Sequence, residues 1–310
     1  MCKLSVVMST YREPEEYIRL AVRSVLEQTY TDFEFIIVID DPENKEMERW
    51  LTAFAAEDDR IVILKNEKNL GLVGALNRAL EAVRGEFVAR MDSDDIAMPD
   101  RFEKQLAYLE SHKLDLVGAL IRRMDEDGEV LSGLDTRHYP PEVIMNELRV
   151  TDCVPHPTWL LRREVYERLG GYRLINRCED YDFLLRALKA GYRIGLCDEY
   201  LLNYRIFTKS ISQSGLLEQR LTARYLARSF PRLDEVSMDE IRRRVLSKAT
   251  PGASKRYRKA DVLFRTALGC RNPIKKLGYL ALSVLTSSHQ LPRLLDMAKL
   301  RKIRKQGVSQ

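Results

Sequence analysis

The chain has 310 residues, 45% of them apolar and 31% charged, a balance that allows a sizeable buried core and excludes an intrinsically disordered protein. The formal charge of +5 conceals an asymmetry: residues 1–215 carry 29 basic and 39 acidic side chains, net −10, whereas residues 216–310 carry 22 basic and 7 acidic, net +15. Five scattered cysteines without a Cys-x-x-Cys pair give neither a disulfide framework nor a zinc site, and the longest apolar stretch, residues 277–285, is about half of what spans a bilayer.

Lys3 is followed at once by a β-rich run, residues 4–8, that ends in Ser9-Thr10-Tyr11. It is too short for a signal-peptide core, so a cytosolic chain is expected. Glu13-Pro14 opens a helix with Ile18, Ala21, Val22, Val25 and Leu26 on one face. A buried-looking run at 35–39 stops at Asp40-Asp41-Pro42. A helix, a strand at 61–64, a helix at 72–83 and a strand at 87–91 follow, the last breaking at Asp92-Ser93-Asp94-Asp95. Apolar strands alternating with amphipathic helices predict an α/β fold with a mostly parallel central sheet covered on both faces. A further helix opens at Glu179-Asp180, with Phe183, Leu184, Ala187 and Leu188 on its buried face. From about residue 216 the pattern is helical (216–230, 236–248, 255–268, 273–285 and 291–305), so the expected division is a domain at 1–215 and a basic α-helical extension at 216–310.

Ligands of such sheets bind beyond the carboxyl ends of the strands, and here three strand ends are polar. Asp and Ser also cap the turns that follow strands, but three converging ends point to a site. The chain has no GxGxxG or GxxxxGK[ST] loop, which weighs against dinucleotide enzymes and P-loop NTPases. Without such a loop, a divalent cation is the simplest way for acidic strand ends to hold a phosphate. Asp92 and Asp94 can point to the same side, and their hard oxygens suit Mg²⁺ or Mn²⁺, although an Asp-rich loop taken alone reads equally as a solvated turn.

A set of motifs runs in order along the chain: Ser5-Val6-Val7-Met8-Ser9-Thr10-Tyr11, Asp40-Asp41, Asn69-Leu70-Gly71 with Asn77, Gly85 through Asp95, Pro99-Asp100-Arg101, Gly170-Gly171-Tyr172 and Glu179-Asp180. Over about residues 3–215 the chain thereby resembles the family 2 glycosyltransferases of bacterial surface-polysaccharide pathways. The resemblance implies a GT-A nucleotide-sugar-binding fold. It also implies inverting transfer of a sugar from a nucleoside-diphosphate donor, a UDP-sugar, to a hydroxyl of a glycan or lipid-linked glycan. By the same resemblance Thr10, Tyr11, Glu13, Asp40 and Asn69 would bind the nucleotide, with Tyr11 near the base and Asp40 accepting from it. Asp92 would lie near the ribose or donor sugar, and Asp94, with Asp92, would hold Mn²⁺ or Mg²⁺. Asp180 would be the general base, with Glu179 or Asp182 as alternatives; acids in a first helical turn also suit the helix dipole.

The chain departs from the family in two places. Phe207 stands where a His is usual after Tyr204-Arg205-Ile206, so Arg205 or Lys209 would pair with the diphosphate. Asp40-Asp41-Pro42-Glu43-Asn44 replaces a Gly-Ser-Thr run, which leaves the nucleotide open. His156, between Pro155 and Pro157, resembles a segment beside the acceptor cleft; a contact to acceptor or diphosphate and a structural role both remain open. The basic clusters 242–244, 255–259, 275–276 and 299–305 suit an anionic membrane surface, and a peripheral position at the inner face of the plasma membrane is expected. A solvated helix face is the alternative, and nucleic acid is not expected because no binding motif accompanies the charge. Two rival readings remain. A sugar-nucleotide pyrophosphorylase would need a Gly-rich signature that Ser9-Thr10-Tyr11-Arg12-Glu13 does not supply. A non-catalytic membrane-binding module would bind no nucleotide.

Overall fold

The computed structural model describes residues 2–131, 139–175, 177–207 and 215–307. The chain divides into two compact units. The first comprises Met1–Met145, Cys153–Leu174 and Arg186–Thr208; the second comprises Asn146–Asp152, Ile175–Leu185 and Lys209–Gln310.

The first unit is built on one sheet of eight strands among the described residues: β1 (Leu4–Thr10), β2 (Phe33–Ile39), β3 (Ile61–Lys65), β4 (Phe87–Asp92), β5 (Ile96–Ala97), β6 (Leu116–Met124), β7 (Leu160–Arg162) and β8 (Ile194–Arg205). Their order is β3-β2-β1-β4-β7-β6-β8-β5. The pairs β1/β2, β2/β3 and β1/β4 are parallel, as the sequence predicts; β6/β8 is parallel too, and β7 enters antiparallel between β4 and β6. The run from Phe35 to Ile39 has no accessible surface, because helices cover both faces of the sheet. Helix α1 (Glu15–Leu26) buries Ile18, Ala21, Val22 and Val25 in the core that also takes Met47, Leu51 and Phe54 of α2 (Lys45–Glu57). Asn44 caps α2 by accepting from the Met47 N–H at 3.0 Å. Helix α3 (Gly71–Leu80) starts on Gly71 at φ +70°, a conformation a side chain would strain, with its N–H donated to Asn69 Oδ1 at 2.8 Å. Then come α4 (Arg101–Ser111), α5 (Pro141–Leu148), α6 (Arg163–Leu169) and α7 (Glu179–Lys189).

The register sets the site. Ser9 lies opposite Asp92 and Thr10 opposite Ile39, so β1, β2 and β4 finish level and their polar ends share one edge of the sheet.

The second unit is helical: α8 (Leu216–Arg228), α9 (Met238–Arg244), α10 (Pro251–Gly269), α11 (Pro273–Thr286) and α12 (Leu291–Gly307), with the opening turns of α7. Ser237, Thr250 and Asn272 cap α9, α10 and α11, and Pro follows the cap in the last two, where its missing N–H is harmless. Part of the basic charge is held in ion pairs. Arg304 binds the buried Glu147, Arg265 and Arg293 bind Asp261 at 2.7 and 2.6 Å, and Arg220 binds Asp296 at 3.1 Å. No helix of the described residues is long and apolar enough to cross a membrane.

Candidate active site

The end of β4 and the turn that follows it hold three carboxylates together. One oxygen each from Asp92, Asp94 and Asp95 lies within 4.8 Å of the others. Three like charges this close repel, and the protein counters them with arginines. Arg90, two residues before Asp92 on the same face of β4, is fully buried and ion-paired to Asp92; its Nε and Nη1 have no hydrogen-bond partner. Arg101, also fully buried, donates to the Arg90 carbonyl at 2.7 Å and to Gln105 at 2.9 Å. Asp95 accepts from the Arg205 N–H at 2.8 Å through Oδ1, while its buried Oδ2 has no partner. The compensation is incomplete. Burial, then the charges of Asp92 and Glu13, push the Asp94 carboxyl up to about 7, and Asp95 is raised well above the usual range by burial and the same neighbours, Asp92 and Asp94. Clustered hard oxygens, one of them orphaned and two reluctant to ionise, fit a divalent oxygen-loving cation, which would supply the missing positive charge.

The residues expected to meet the nucleotide lie at the ends of β1 and β2 and in the loop before α3. Thr10 is buried at the end of β1, its hydroxyl directed to the Val38 carbonyl at 3.4 Å. Tyr11 is exposed, with the Arg12 guanidinium 4.8 Å from its ring centre, and its N–H is held by Glu13 at 2.8 Å. Asp40, just past β2, is buried and accepts from Asn66 at 2.7 Å and from the Leu70 N–H at 2.8 Å, so it fixes the loop that leads into α3. Asn69 sits in that loop and holds the Gly71 N–H. Glu13 raises Asp94 by charge, which ties the β1 end to the acid cluster.

Arg205, at the end of β8, is almost fully buried. Its guanidinium donates to the carbonyls of Asp94 (2.9 Å), Asp125 (3.1 Å) and Glu126 (2.9 Å) and lies 4.0 Å from the Tyr17 ring centre. It clamps the acid loop through the backbone. Phe207 packs 6.0 Å from Tyr17. Lys209 lies outside the described residues. His156 is buried, with Nε2 2.8 Å from the Tyr172 hydroxyl, which in turn is 2.7 Å from that of Tyr166. Burial, then the Arg90 charge, hold its imidazole well below the usual pKa, so it is neutral. Asn77 makes two 2.9 Å hydrogen bonds with the backbone of Tyr172, and a Cβ on Gly171 would stand 2.6 Å from Asn77 Oδ1, which accounts for the glycine there.

Glu179 and Asp180 belong to the second unit. Asp180 Oδ1 accepts its neighbour's N–H from Tyr181 at 2.7 Å, and the residue lines a cavity of about 240 Å³ with Asp152, Arg177, Arg220, Arg265 and Arg293. Sequence reasoning missed the arginines of this cavity and the buried Arg90 and Arg101. The signal for Arg90 was present: a lone arginine inside the apolar run Phe87-Val88-Ala89-Arg90-Met91 is buried only when paired.

A mostly parallel sheet with clustered carboxylates at a strand end agrees with the GT-A arrangement that the sequence resemblance implies. The chain belongs to glycosyl transferase family 2, whose family model matches residues 5–170. It is 35% identical over 223 residues to an uncharacterized glycosyltransferase of Methanocaldococcus jannaschii, covering 72% of this chain and 77% of the relative. It is 36% identical over 217 residues to the O-antigen biosynthesis glycosyltransferase WbnJ of Escherichia coli, covering 69% and 83%. Among solved structures, S. aureus TarS 1–349 in complex with UDP-GlcNAc superposes with a TM-score of 0.61 at 18% identity, covering 98% of this chain and 90% of that one. The chain spans 55% of the longer TarS structure. The protein is therefore an enzyme of the glycosyltransferase class.

Proposed function

We propose that the protein is an inverting glycosyltransferase that moves a hexosyl or N-acetylhexosaminyl group from a UDP-sugar to a hydroxyl of a glycan or lipid-linked glycan in polysaccharide biosynthesis. The observation that carries this is the clustering of Asp92, Asp94 and Asp95 at the end of β4, beside the end of the parallel strand β1. The names of relatives in O-antigen and amylovoran biosynthesis, and the UDP-GlcNAc bound to TarS, support the pathway class and the donor.

In this reading Asp94 and Asp92, joined by Asp95, hold Mn²⁺ or Mg²⁺, which when bound would offset the charge of the departing diphosphate. Thr10, Tyr11, Glu13, Asp40 and Asn69 form the nucleoside side. Asp180, with Glu179 beside it, takes the proton of the acceptor hydroxyl as its oxygen attacks the anomeric carbon. The bond to the diphosphate breaks on the opposite face, its electron pair leaving on the phosphate oxygen. Arg205 acts by holding the Asp94 carbonyl, His156 as a neutral contact on the acceptor or diphosphate side, and Lys209 as a diphosphate contact. Residues 1–215 form the catalytic domain and 216–310 the basic extension of an enzyme acting at the inner face of the plasma membrane.

A thermal-shift panel of nucleoside diphosphates and UDP-sugars, with and without Mn²⁺, tests this reading. Stabilisation by a uridine nucleotide that depends on the cation is expected. Absence of a shift with every nucleotide would overturn the reading and favour the membrane-binding module.

A further inference from the structure

Helix α11 is turned inside out. In a surface helix the apolar stripe faces the core, yet here the arc that faces solvent is made of Ile274, Leu277, Gly278, Ala281, Leu282 and Leu285. Ile274, Leu277 and Leu285 are 82, 70 and 83% exposed. On the opposite side Ser283 is fully buried, its hydroxyl returned to the Leu280 carbonyl at 2.7 Å. Leu291 and Leu295 of α12 and Val262 and Leu268 of α10 are exposed in the same unit. The unbroken apolar arc of α11 itself has the character of a docking surface.

Charge selects the occupant. Between Asp261 and Asp296 the sequence has no acidic residue, and apart from Arg265 and Arg293, which pair with Asp261, the interval holds Arg271, Lys275 and Lys276. The apolar arc carries no hydrogen-bonding side chain, and the exposed Lys275 stands at its edge. A second copy would bring the same excess of positive charge, 22 basic against 7 acidic residues in 216–310, and would be repelled. We infer that α11 lies in the plane of an anionic phospholipid surface, with Ile274, Leu277 and Leu285 inserted below the headgroups and Arg271 and Lys275 among the phosphates. Its 14 residues make about 21 Å of helix, short of the roughly 30 Å of a hydrocarbon core, so it rests in the interface and does not cross. The basic clusters expected from the sequence to carry membrane binding are here secondary to this apolar face. The inference does not depend on the transfer reaction.

The test is sedimentation of the full chain with vesicles of phosphatidylcholine containing phosphatidylglycerol, against phosphatidylcholine alone. The wild type should bind the anionic vesicles. Ile274→Glu/Leu277→Glu/Leu285→Glu should lower the partition at least about tenfold, because three inserted side chains are lost and three negative charges face the lipid. These positions are exposed, so the circular-dichroism spectrum and the nucleotide-dependent thermal shift of this variant should match the wild type. A Leu277→Trp variant should be quenched by lipids brominated near the top of the acyl chain. Failure of the wild type to bind, or equal binding by the triple variant, would overturn the inference. A wild-type dimer in solution that the triple variant converts to monomer would also overturn it, by giving the face to a second copy.

Discussion

Replacing Asp94 by asparagine should stabilise the protein in the absence of metal. The rise of its carboxyl from the ordinary 3.8 to about 7, caused first by burial and then by Asp92 and Glu13, means that the folded state disfavours the charged form. At pH 8 that penalty is fully present and amounts to about 4 kcal/mol at most, at 1.36 kcal/mol per unit. The sign follows from linkage: the raised pKa stabilises the fold at low pH, and this contribution is lost as pH rises from 3.8 through 7. Asparagine keeps the shape and removes the charge. Thermal denaturation in EDTA should therefore place the Asp94→Asn transition roughly 5–10 °C above wild type at pH 8. The gain should fall to less than about half at pH 5, where wild-type Asp94 already carries its proton. The variant should in turn lose the cation-dependent nucleotide shift. A transition at pH 8 equal to or below that of wild type, or a gain of the same size at pH 5, would refute the argument that the acid cluster is held under strain for a cation.

Asp180→Asn should lower kcat by about two orders of magnitude or more while leaving the nucleotide thermal shift intact, and near-normal turnover would remove Asp180 from the role of base. His156, neutral and buried with a pKa held well below 6.5, contributes stability that is present above that value and lost as pH falls beneath it. His156→Gln should thus flatten the acid limb of the stability profile below about pH 6.5, and an unchanged limb would show that the histidine is not its source. Arg304→Met leaves the buried Glu147 carboxylate without the guanidinium that now pairs with it. It should cost roughly 2–3 kcal/mol by chemical denaturation, discounted from the fully buried case because Arg304 is itself part-exposed, and adding Glu147→Gln should recover much of the loss.

The first half of the sheet could be read from the sequence because its strands are buried on both faces and appear as unbroken apolar runs. The 35–39 run became β2 with no accessible residue, and the acids after 91 were recognisable because they interrupt such a run. The second half was hidden. β7 is three residues long, and β8 is interrupted by Asp198-Glu199, near the register shifts it makes against β6 between Ala119 and Ile121, which erases alternation. β5 is two residues inside what reads as a turn after Asp95. The charged residues that support the acid cluster were equally concealed. Arg90 looks like an exception in a strand, and nothing in the sequence shows that Arg205 holds three backbone carbonyls of the acid loop and its neighbour. The inversion of α11 was beyond reach as well: the periodicity of 273–285 shows an apolar face but not which way it turns.

The clamp on the acid loop has a temporal consequence. Asp95 leaves the ribosome early, but the backbone N–H that fixes it belongs to Arg205, 110 residues later, and β5 is paired to Leu202 and Asn203 of β8. The nascent chain can assemble β1, β2, β3 and β4 in order, each beside an earlier neighbour. The carboxylates cannot be locked into place until β8 has been made and threaded between β6 and β5. If the acid cluster holds the donor as proposed, donor affinity should therefore appear late in synthesis and abruptly.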